Sequence, residues 1–333
     1  MRARTHRFLG TSMALLLGMA ALFAPAAVLA EDERAQPTDR DSRIALGLTA
    51  RQLEKMLPSE GKSPKTVKKL QGLSGYGTGD AGGGSGSFET DSFSRFLHIG
   101  LQQSYGKTYE EGWKILHSVV QRALSDLGPL PLGLRMALES GRDASYDRSW
   151  QDAYKILHEA AKTASNNTGD FTSSQPATFA AYMHLARQSS YEKSYEVAWK
   201  VLEKYLDNLE KRGQALIPSR ELGLLVRAAR QASYSKSWKA AWEIQHAAIK
   251  RAENLPSGEL RGFYYATALE CSYDKTYQEG YEVLRTFIDQ ALSSGLVSNF
   301  DRASLQTTLQ ASYNQSWQTG YNVLRDGLKA LLP

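Results

Sequence analysis

Titratable and aromatic side chains recur through this chain at fixed distances from one dipeptide, Ser-Tyr. The tyrosines of this dipeptide, here called the turn tyrosines, are Tyr105, Tyr146, Tyr191, Tyr234, Tyr273 and Tyr313. They are separated by 41, 45, 43, 39 and 40 residues. A period near forty residues is typical of stacked supersecondary units. Each position is therefore described by its offset from the turn tyrosine of its own copy, and the copies are numbered one to six.

A cation lies at offset two in five of the six copies. These cations are Lys107, Arg148, Lys193, Lys236 and Lys275, and the sixth copy has Gln315 instead. If equivalent turns align along one edge of a stack, the five charges form a turn ladder with steps of roughly 10 Å. Such a ladder could bind a long anion, such as an acidic polysaccharide, a lipid phosphate surface or an acidic protein. The alternative is a set of solvated turn charges, partly neutralised by neighbours such as Asp147 and Asp274.

Two aromatic residues follow each turn tyrosine. The offset-four rings are Tyr109, Trp150, Tyr195, Trp238, Tyr277 and Trp317, and the offset-eight rings are Trp113, Tyr154, Trp199, Trp242, Tyr281 and Tyr321. A Gly or Ala lies between them at offset seven in every copy. Offsets four, seven, eight and eleven share one face of a helix, so the pattern predicts that all twelve rings form the core between hairpins. The alternative is a row of rings that stacks on sugars or captures an aromatic ligand.

Histidine and carboxylate positions offer weaker signals. His117 and His158 share offset twelve in adjacent copies and could approach each other. A metal site requires three or four ligands at defined spacing, which the chain does not offer, so neither a metal nor a cofactor is predicted. Asp143 and Glu270 replace the Gln that the other copies have three residues before the turn tyrosine. They could form a catalytic carboxylate pair, although a polar helix position that tolerates Gln, Asp or Glu is the favoured interpretation.

The elements that position these residues are helices. Each copy has Ser or Thr at offset three: Thr108, Ser149, Ser194, Ser237, Thr276 and Ser316. These residue types are good helix N-caps, because the side-chain oxygen accepts a hydrogen bond from an unpaired N–H of the first turn. The segment before each turn tyrosine is also helical in pattern, for example 93–105 and 132–146. Only two or three residues separate the two helices, so each copy is predicted to be a tight antiparallel αα-hairpin.

The predicted fold is therefore all-α. Residues 88–333 are expected to form six tandem αα-hairpin repeats of about 40 residues that stack into an α-solenoid-like superhelix, with a closed α/α ring as the alternative. Residues 72–87 are a Gly- and Ser-rich linker. Residues 31–71 have the composition of a mostly disordered segment, with one short helical pattern from Ile44 to Leu57. Together these upstream residues predict a flexible segment before the repeats.

Residues 1–30 have the three-part pattern of a secretory signal peptide. Three arginines precede an apolar run from Phe8 to about Leu29, and acidic residues begin at Glu31. A transmembrane anchor is the alternative, but Gly18 and Pro25 interrupt the apolar run. The protein is predicted to be exported to the periplasm or the extracellular space, with no transmembrane segment after cleavage.

Charge and cysteine content exclude two further classes. The net charge of +5 falls to +2 without the three arginines of residues 1–30, so nucleic-acid binding has no electrostatic support. Cys271 is the single cysteine and cannot form an internal disulfide. Stability in an oxidising compartment must therefore come from packing. The oligomeric state is left open by the sequence.

Three functions remain. An exported binding scaffold is favoured, because near-identical repeats build extended surfaces more readily than one asymmetric pocket. Its partner would be a protein or an anionic polysaccharide or lipid surface. A carbohydrate-active enzyme on a closed α/α ring is the first alternative, and it is disfavoured because no known catalytic motif occurs. A structural protein of the cell envelope that assembles with itself is the second alternative.

Overall fold

The computed structural model describes residues 88–255, 260–295 and 297–333. The predicted signal peptide, the segment 31–71 and the linker 72–87 lie outside these residues. Within the described ranges the chain contains thirteen α-helices, one 3-10 turn and no strand. The all-α prediction is confirmed.

Each copy contributes two helices that flank its turn tyrosine. The helices are α1 (Thr90–Ser104), α2 (Tyr109–Ser125), α3 (Leu132–Ser145), α4 (Trp150–Asn166), α5 (Thr168–Phe171), α6 (Gln175–Ser190), α7 (Tyr195–Arg212), α8 (Arg220–Ser233), α9 (Trp238–Glu253), α10 (Leu260–Ser272), α11 (Tyr277–Ser294), α12 (Asn299–Ser312) and α13 (Trp317–Lys329). The short helix α5 follows copy 2, and the 3-10 turn Gln214–Leu216 follows copy 3. The first helix of every copy ends at the serine of Ser-Tyr, one residue earlier than predicted, and the turn tyrosine lies outside it.

The connection between the two helices has a common backbone in all six copies. The residue at offset one has a positive φ of 55° to 69°: Gly106, Asp147, Glu192, Ser235, Asp274 and Asn314. This left-handed conformation reverses the chain within a few residues. The side chain at offset three then accepts a hydrogen bond from the backbone N–H three residues later in every copy. All six predicted N-caps therefore have the expected geometry.

The second helices pack against each other in three separate pairs. These contacts join α2 to α4, α7 to α9 and α11 to α13. Among the described helices, α4 and α7 do not pack in this way, and neither do α9 and α11. Instead, α3 packs on α7 and α4 on α6, while α8 packs on α11 and α9 on α10. Copies 1 and 2, 3 and 4, and 5 and 6 therefore form three pairs, with a different kind of interface between one pair and the next.

Candidate functional site

Within each pair, the two copies exchange equivalent aromatic contacts. The offset-four ring of each copy packs against the offset-eight ring of the other copy. In the first pair the ring centroids are 5.5 Å apart for Trp113–Trp150 and 5.9 Å apart for Tyr109–Tyr154. The corresponding four distances in the other two pairs lie between 5.3 and 5.9 Å. Contacts that are mirrored in this way define a pseudo-two-fold interface.

The serine of the Ser-Tyr dipeptide binds the offset-eight ring of the partner copy. Trp113 Nε1 donates to Ser145 Oγ at 3.0 Å, and Tyr154 Oη lies 3.3 Å from Ser104 Oγ. The other bonds are Trp199–Ser233, Trp242–Ser190, Tyr281–Ser312 and Tyr321–Ser272, at 3.1 to 3.4 Å. Each serine also donates its one hydroxyl proton to a carbonyl three residues earlier in its own helix. Its oxygen is thereby oriented to accept from the ring, which explains why serine recurs in all six copies.

The residue at offset seven matches the ring that faces it. Gly112, Gly280 and Gly320 each face a tyrosine of the partner copy, and a Cβ built on Gly112 would lie 2.7 Å from Tyr154 Cε2. The remaining copies have Ala153, Ala198 and Ala241, and their partners' offset-eight rings are all tryptophans. Gly thus accompanies Tyr and Ala accompanies Trp in six of six copies. This match can be read from the sequence once the partner of each copy is known.

The two sets of rings differ in burial. The offset-eight rings are buried or half-buried, and Trp113 is wholly enclosed. Five of the six offset-four rings are 43% to 49% exposed, and the sixth, Trp150, is half-buried. The prediction of a twelve-ring core therefore describes the offset-eight rings, whereas the offset-four rings lie on its solvent side. The reason is that offset four is the first residue of its helix, and only the turn precedes it.

In copies 1 and 4, the histidine at offset twelve faces the turn tyrosine of the partner copy. Tyr146 Oη lies 2.8 Å from His117 Nε2, and Tyr191 Oη lies 3.0 Å from His246 Nε2. His158 packs on Tyr154 instead, so the structure does not bring His117 and His158 together as ligands. Burial, with nearby cations in support, lowers the pKa of His246 to about 4. No group of three or more His, Cys, Asp and Glu side chains in the described ranges is placed to hold a metal ion.

Two of the ladder cations are paired across the interface between copies 4 and 5. Lys275 Nζ lies 3.0 Å from Glu243, and Lys236 pairs with Glu282 in the mirrored arrangement. The lysine side chains are 3% and 8% exposed. The acids are at offset nine, so offset two of each copy meets offset nine of the other. Neither lysine is available for a long anion in this arrangement.

Two further ladder cations lie on either side of the interface between copies 2 and 3. Arg148 donates to the Asp147 carbonyl at 2.8 Å, and Lys193 donates to the Tyr191 carbonyl at 3.0 Å. Burial lowers the pKa of both groups. Lys107 is exposed. It belongs to copy 1, which has no preceding pair among the described residues. The five cations therefore do not form one exposed ladder. Lys236 and Lys275 are buried in ion pairs between copies, and Arg148 and Lys193 are partly buried near charges of the neighbouring copy.

The candidate catalytic carboxylates belong to separate ion-pair networks. Asp143 accepts from Arg212 Nη2 at 2.6 Å and from Arg142 at 3.0 Å. Glu270 of copy 5 accepts from Arg251 of copy 4 at 2.9 Å. Both carboxylates have cationic partners that hold neighbouring helices together. The arrangement supports a structural role at these positions rather than one shared cleft.

An open cavity lies where the chain passes from copy 3 to copy 4. Its volume is about 550 Å³, and its walls include Ile217, Pro218 and Leu224. Glu210 and Arg227 also line it and pair with each other at 3.4 Å. These two charges neutralise each other, so neither meets a ligand as an isolated charge. The offset-four rings, which recur in every copy, are the stronger candidate for a binding surface.

Comparisons with protein-family models, with curated proteins and with solved structures found no match to this chain. The assignment of a function therefore depends on the contacts and exposures described above. Within the described residues, no helix is both long and apolar enough to cross a membrane.

Proposed function

We propose that this protein is an exported binding scaffold in which six αα-hairpins form an open array and present the offset-four rings to a protein partner. The three pairs provide the rigid framework, and each pair offers two ring surfaces related by its pseudo-two-fold axis. If the segment before the linker 72–87 were attached elsewhere, the linker would let the array bind its partner at a distance from that attachment.

The half-exposure of the offset-four rings carries this proposal. The fold uses one side of each ring against the offset-eight ring of the partner copy, and the other side remains in solvent. Tyrosine and tryptophan dominate protein-binding hot spots, because they supply a large rigid contact area at a small cost in conformational entropy. Single exposed apolar residues are common on protein surfaces, but a ring that recurs at the equivalent position of all six copies indicates a binding surface.

Charge favours a protein over an anionic polymer as the partner. The cations beside the rings are already paired: Lys114 lies over Trp150 and pairs with Glu110 at 2.5 Å, and Lys200 lies over Trp238 and pairs with Glu196. Of the five predicted ladder cations, Lys236 and Lys275 are buried in ion pairs, and Arg148 and Lys193 are partly buried. Trp150 and Trp238 therefore have a polar but neutral rim, as protein interfaces commonly do.

The pattern of helix packing favours an open array over a closed ring. In the described part of the chain, the substantial helix contacts join only copies that are adjacent in sequence. Repeats that contact only their neighbours build extended surfaces. Equivalent surfaces along one array can engage a partner at several points, which raises avidity without any new type of contact.

The proposal is tested on the chain from Glu31 to Pro333, with a photo-crosslinking residue at Tyr195 to identify the partner in envelope or culture fractions. The purified partner is then titrated with wild type, with the double variant Tyr195→Ser/Trp238→Ser and with Phe300→Ser, an exposed aromatic outside the motif. We expect at least a tenfold loss of affinity for the double variant, about 1.4 kcal/mol or more, and no change for the control.

Two outcomes would overturn the proposal. Equal affinity of the double variant and wild type would mean that the offset-four rings are not the binding surface. Ring-dependent capture of a glycan, with no protein crosslinked, would reject the protein partner and favour sugar stacking instead.

A further inference from the structure

The first helices of copies 3 and 5 each have a buried face that lies between the second helix of the same copy and the preceding copy. Its tyrosine donates to a carbonyl of its own copy, Tyr182 to Tyr205 and Tyr264 to Phe287. Tyr182 Oη lies 2.7 Å from Ser140 Oγ of copy 2, and Cys271 Sγ donates to the Ile244 carbonyl of copy 4 at 3.4 Å. The face consists of the residues nine, six and two positions before the turn tyrosine. In copy 3 these are Tyr182, Leu185 and Ser189, and in copy 5 they are Tyr264, Thr267 and Cys271. All six side chains are buried.

Copy 1 has the same face but no preceding copy among the described residues. The equivalent residues of α1 are Phe96, Ile99 and Gln103, and each is only partly buried. Phe96 and Ile99 are apolar, and Phe96 continues the aromatic series of Tyr182 and Tyr264. Gln103 is the polar member and lies at the end of the face that is nearest the turn. The N-terminal end of the array therefore presents an apolar patch, Phe96 and Ile99, where the other odd copies have a neighbouring hairpin.

At the opposite end of the array, in copy 6, the equivalent helix face is more polar. The equivalent face of α12 in copy 6 carries Ser304, Thr307 and Ala311, and of these Thr307 and Ala311 are exposed. In copy 4 the same positions are Leu225, Ala228 and Ala232, all buried. Compared with copy 4, Ser304 and Thr307 stand in place of apolar side chains. The exposed members of the face are a threonine and an alanine rather than large apolar residues, as suits a terminal repeat in contact with water. Copy 1 retains Phe and Ile at the positions of Ser304 and Thr307, which indicates that something covers them.

The chain itself supplies a suitable cover. In residues 44–57, Leu46, Ala50, Leu53 and Leu57 follow each other at helical spacing and define one apolar face. A helix of this length would be about 21 Å long, close to the length of about 22 Å for α1. The thirty residues 58–87 separate it from the described chain, with a root-mean-square span of about 30 Å for a flexible coil. A flexible linker of that span would give the segment an effective concentration on the order of 1 mM at α1.

We propose that residues 44–57 form a helix that docks in cis on the Phe96–Ile99–Gln103 face of α1 and takes the place of a preceding hairpin. Leu46, Leu53 and neighbouring apolar residues of the segment cover Phe96 and Ile99, while Arg51 and Lys55 remain on the outer side. The segment is then an N-terminal cap that completes the array. This role is independent of the partner bound by the offset-four rings.

Disulfide trapping in the chain from Glu31 to Pro333 tests the docking. The pair Leu53→Cys/Ile99→Cys is compared with Leu48→Cys/Ile99→Cys, in which the first cysteine lies off the apolar face. A second control, Leu53→Cys/Thr307→Cys, reports random encounters with the far end of the array. We expect the first pair to form an intramolecular disulfide at least tenfold faster than either control, since Cys271 is buried and does not compete.

Two results would overturn the proposal. Equal rates for the three pairs would show that the segment has no preferred site on α1. Disulfide-linked dimers from the first pair at low protein concentration would show that a second copy covers the face instead.

Hydrogen exchange provides a second, independent readout without new cysteines. We expect Leu53→Glu to reduce the protection of the α1 amides at least tenfold, whereas Leu48→Glu leaves their protection unchanged. Both substitutions are in residues 44–57, so neither variant changes a side chain of copies 1 to 6. Identical protection of α1 in both variants and wild type would contradict docking.

Discussion

The interfaces within pairs and the interfaces between pairs are built on different principles. Within every pair, the same offsets exchange the same contacts: a serine on an offset-eight ring and an offset-four ring beside it. Between pairs, copies 2 and 3 are joined by polar groups such as Ser140, Tyr182 and Asn208, whereas copies 4 and 5 are joined by buried lysine–glutamate pairs. The repeated motif therefore encodes the pair, and each interface between pairs is encoded separately.

This difference assigns distinct roles to parts of the motif that look alike in sequence. Offset eight and the serine hold a pair together, while offset four lies at the margin of the same interface. Offset two lies next to a neighbouring pair in copies 2 to 5 and in solvent in copy 1.

Loss of a buried offset-eight ring should damage the pair far more than loss of an offset-four ring. We expect Trp113→Ala to lower the free energy of unfolding by about 3–5 kcal/mol, because it leaves a large cavity and removes the bond to Ser145. Trp150→Ala, in the same pair, should cost about 1–2 kcal/mol, because that ring is only partly buried. Urea unfolding followed by circular dichroism measures both. Equal losses would contradict the separation of core and surface rings.

The match between offset seven and the facing ring should be visible as coupling. Gly112→Ala places a methyl group against Tyr154 and should cost about 1–3 kcal/mol. The double variant Gly112→Ala/Tyr154→Trp recreates the Ala–Trp combination of other pairs and should recover at least half of that loss. Ala153→Gly in the same pair serves as the control for simple helix propensity. Additive losses in the double variant would mean that the co-variation has no energetic basis.

A histidine within the second pair should make that pair sensitive to acid. Burial, together with Arg187 and Lys250, lowers the pKa of His246 to about 4, so the folded state favours the neutral ring. This contribution to stability is complete above the ordinary histidine pKa of about 6.5 and is lost as pH falls towards 4. Relative to His246→Gln, wild type should lose about 1–2 kcal/mol of unfolding free energy between pH 7 and pH 4, a value reduced for partial exposure. A constant difference across this range would contradict the burial of the neutral ring.

The smallest effect concerns the turn that all copies share. Glu192 has a φ of 59°, a left-handed conformation that glycine adopts without steric cost. We expect Glu192→Gly to raise the unfolding free energy by up to about 1 kcal/mol. The reverse type of change, Gly106→Ala at the same offset in copy 1, should lower it by about 1 kcal/mol. Thermal unfolding of both variants measures the pair of shifts, and a loss of stability in Glu192→Gly would argue against strain in the turn.

Local features of the fold could be predicted from the sequence, and non-local ones could not. The N-caps and helix bounds depend on residues a few positions apart, so offset three alone identified six helix starts. Which second helices pack together depends on contacts about forty residues apart, and the forty-residue period treats all neighbours as equivalent. Two other patterns distinguish the members of a pair: the alternation of Tyr and Trp at offset four, and the match of Gly at offset seven to a facing Tyr and of Ala to a facing Trp.

The turn ladder shows the same limit at the level of the site. Five cations at one offset predict a common exposed edge only if the surroundings of the five are equal. In copies 4 and 5 the acids Glu243 and Glu282 at offset nine neutralise the lysines, whereas copies 2 and 3 have Lys155 and Lys200 at that offset. The partner of each cation belongs to another copy, so the period alone could not reveal it.

A double-mutant cycle between a ring and its serine tests the reciprocal pairing most directly. Trp113→Phe removes the indole N–H, and Ser145→Ala removes its acceptor in the partner copy. We predict a coupling free energy of about 1 kcal/mol for this cycle and additive effects for Trp113→Phe with Ser104→Ala, the equivalent serine of the same copy. Coupling to Ser104 rather than to Ser145 would contradict the exchange of contacts between the two copies of a pair.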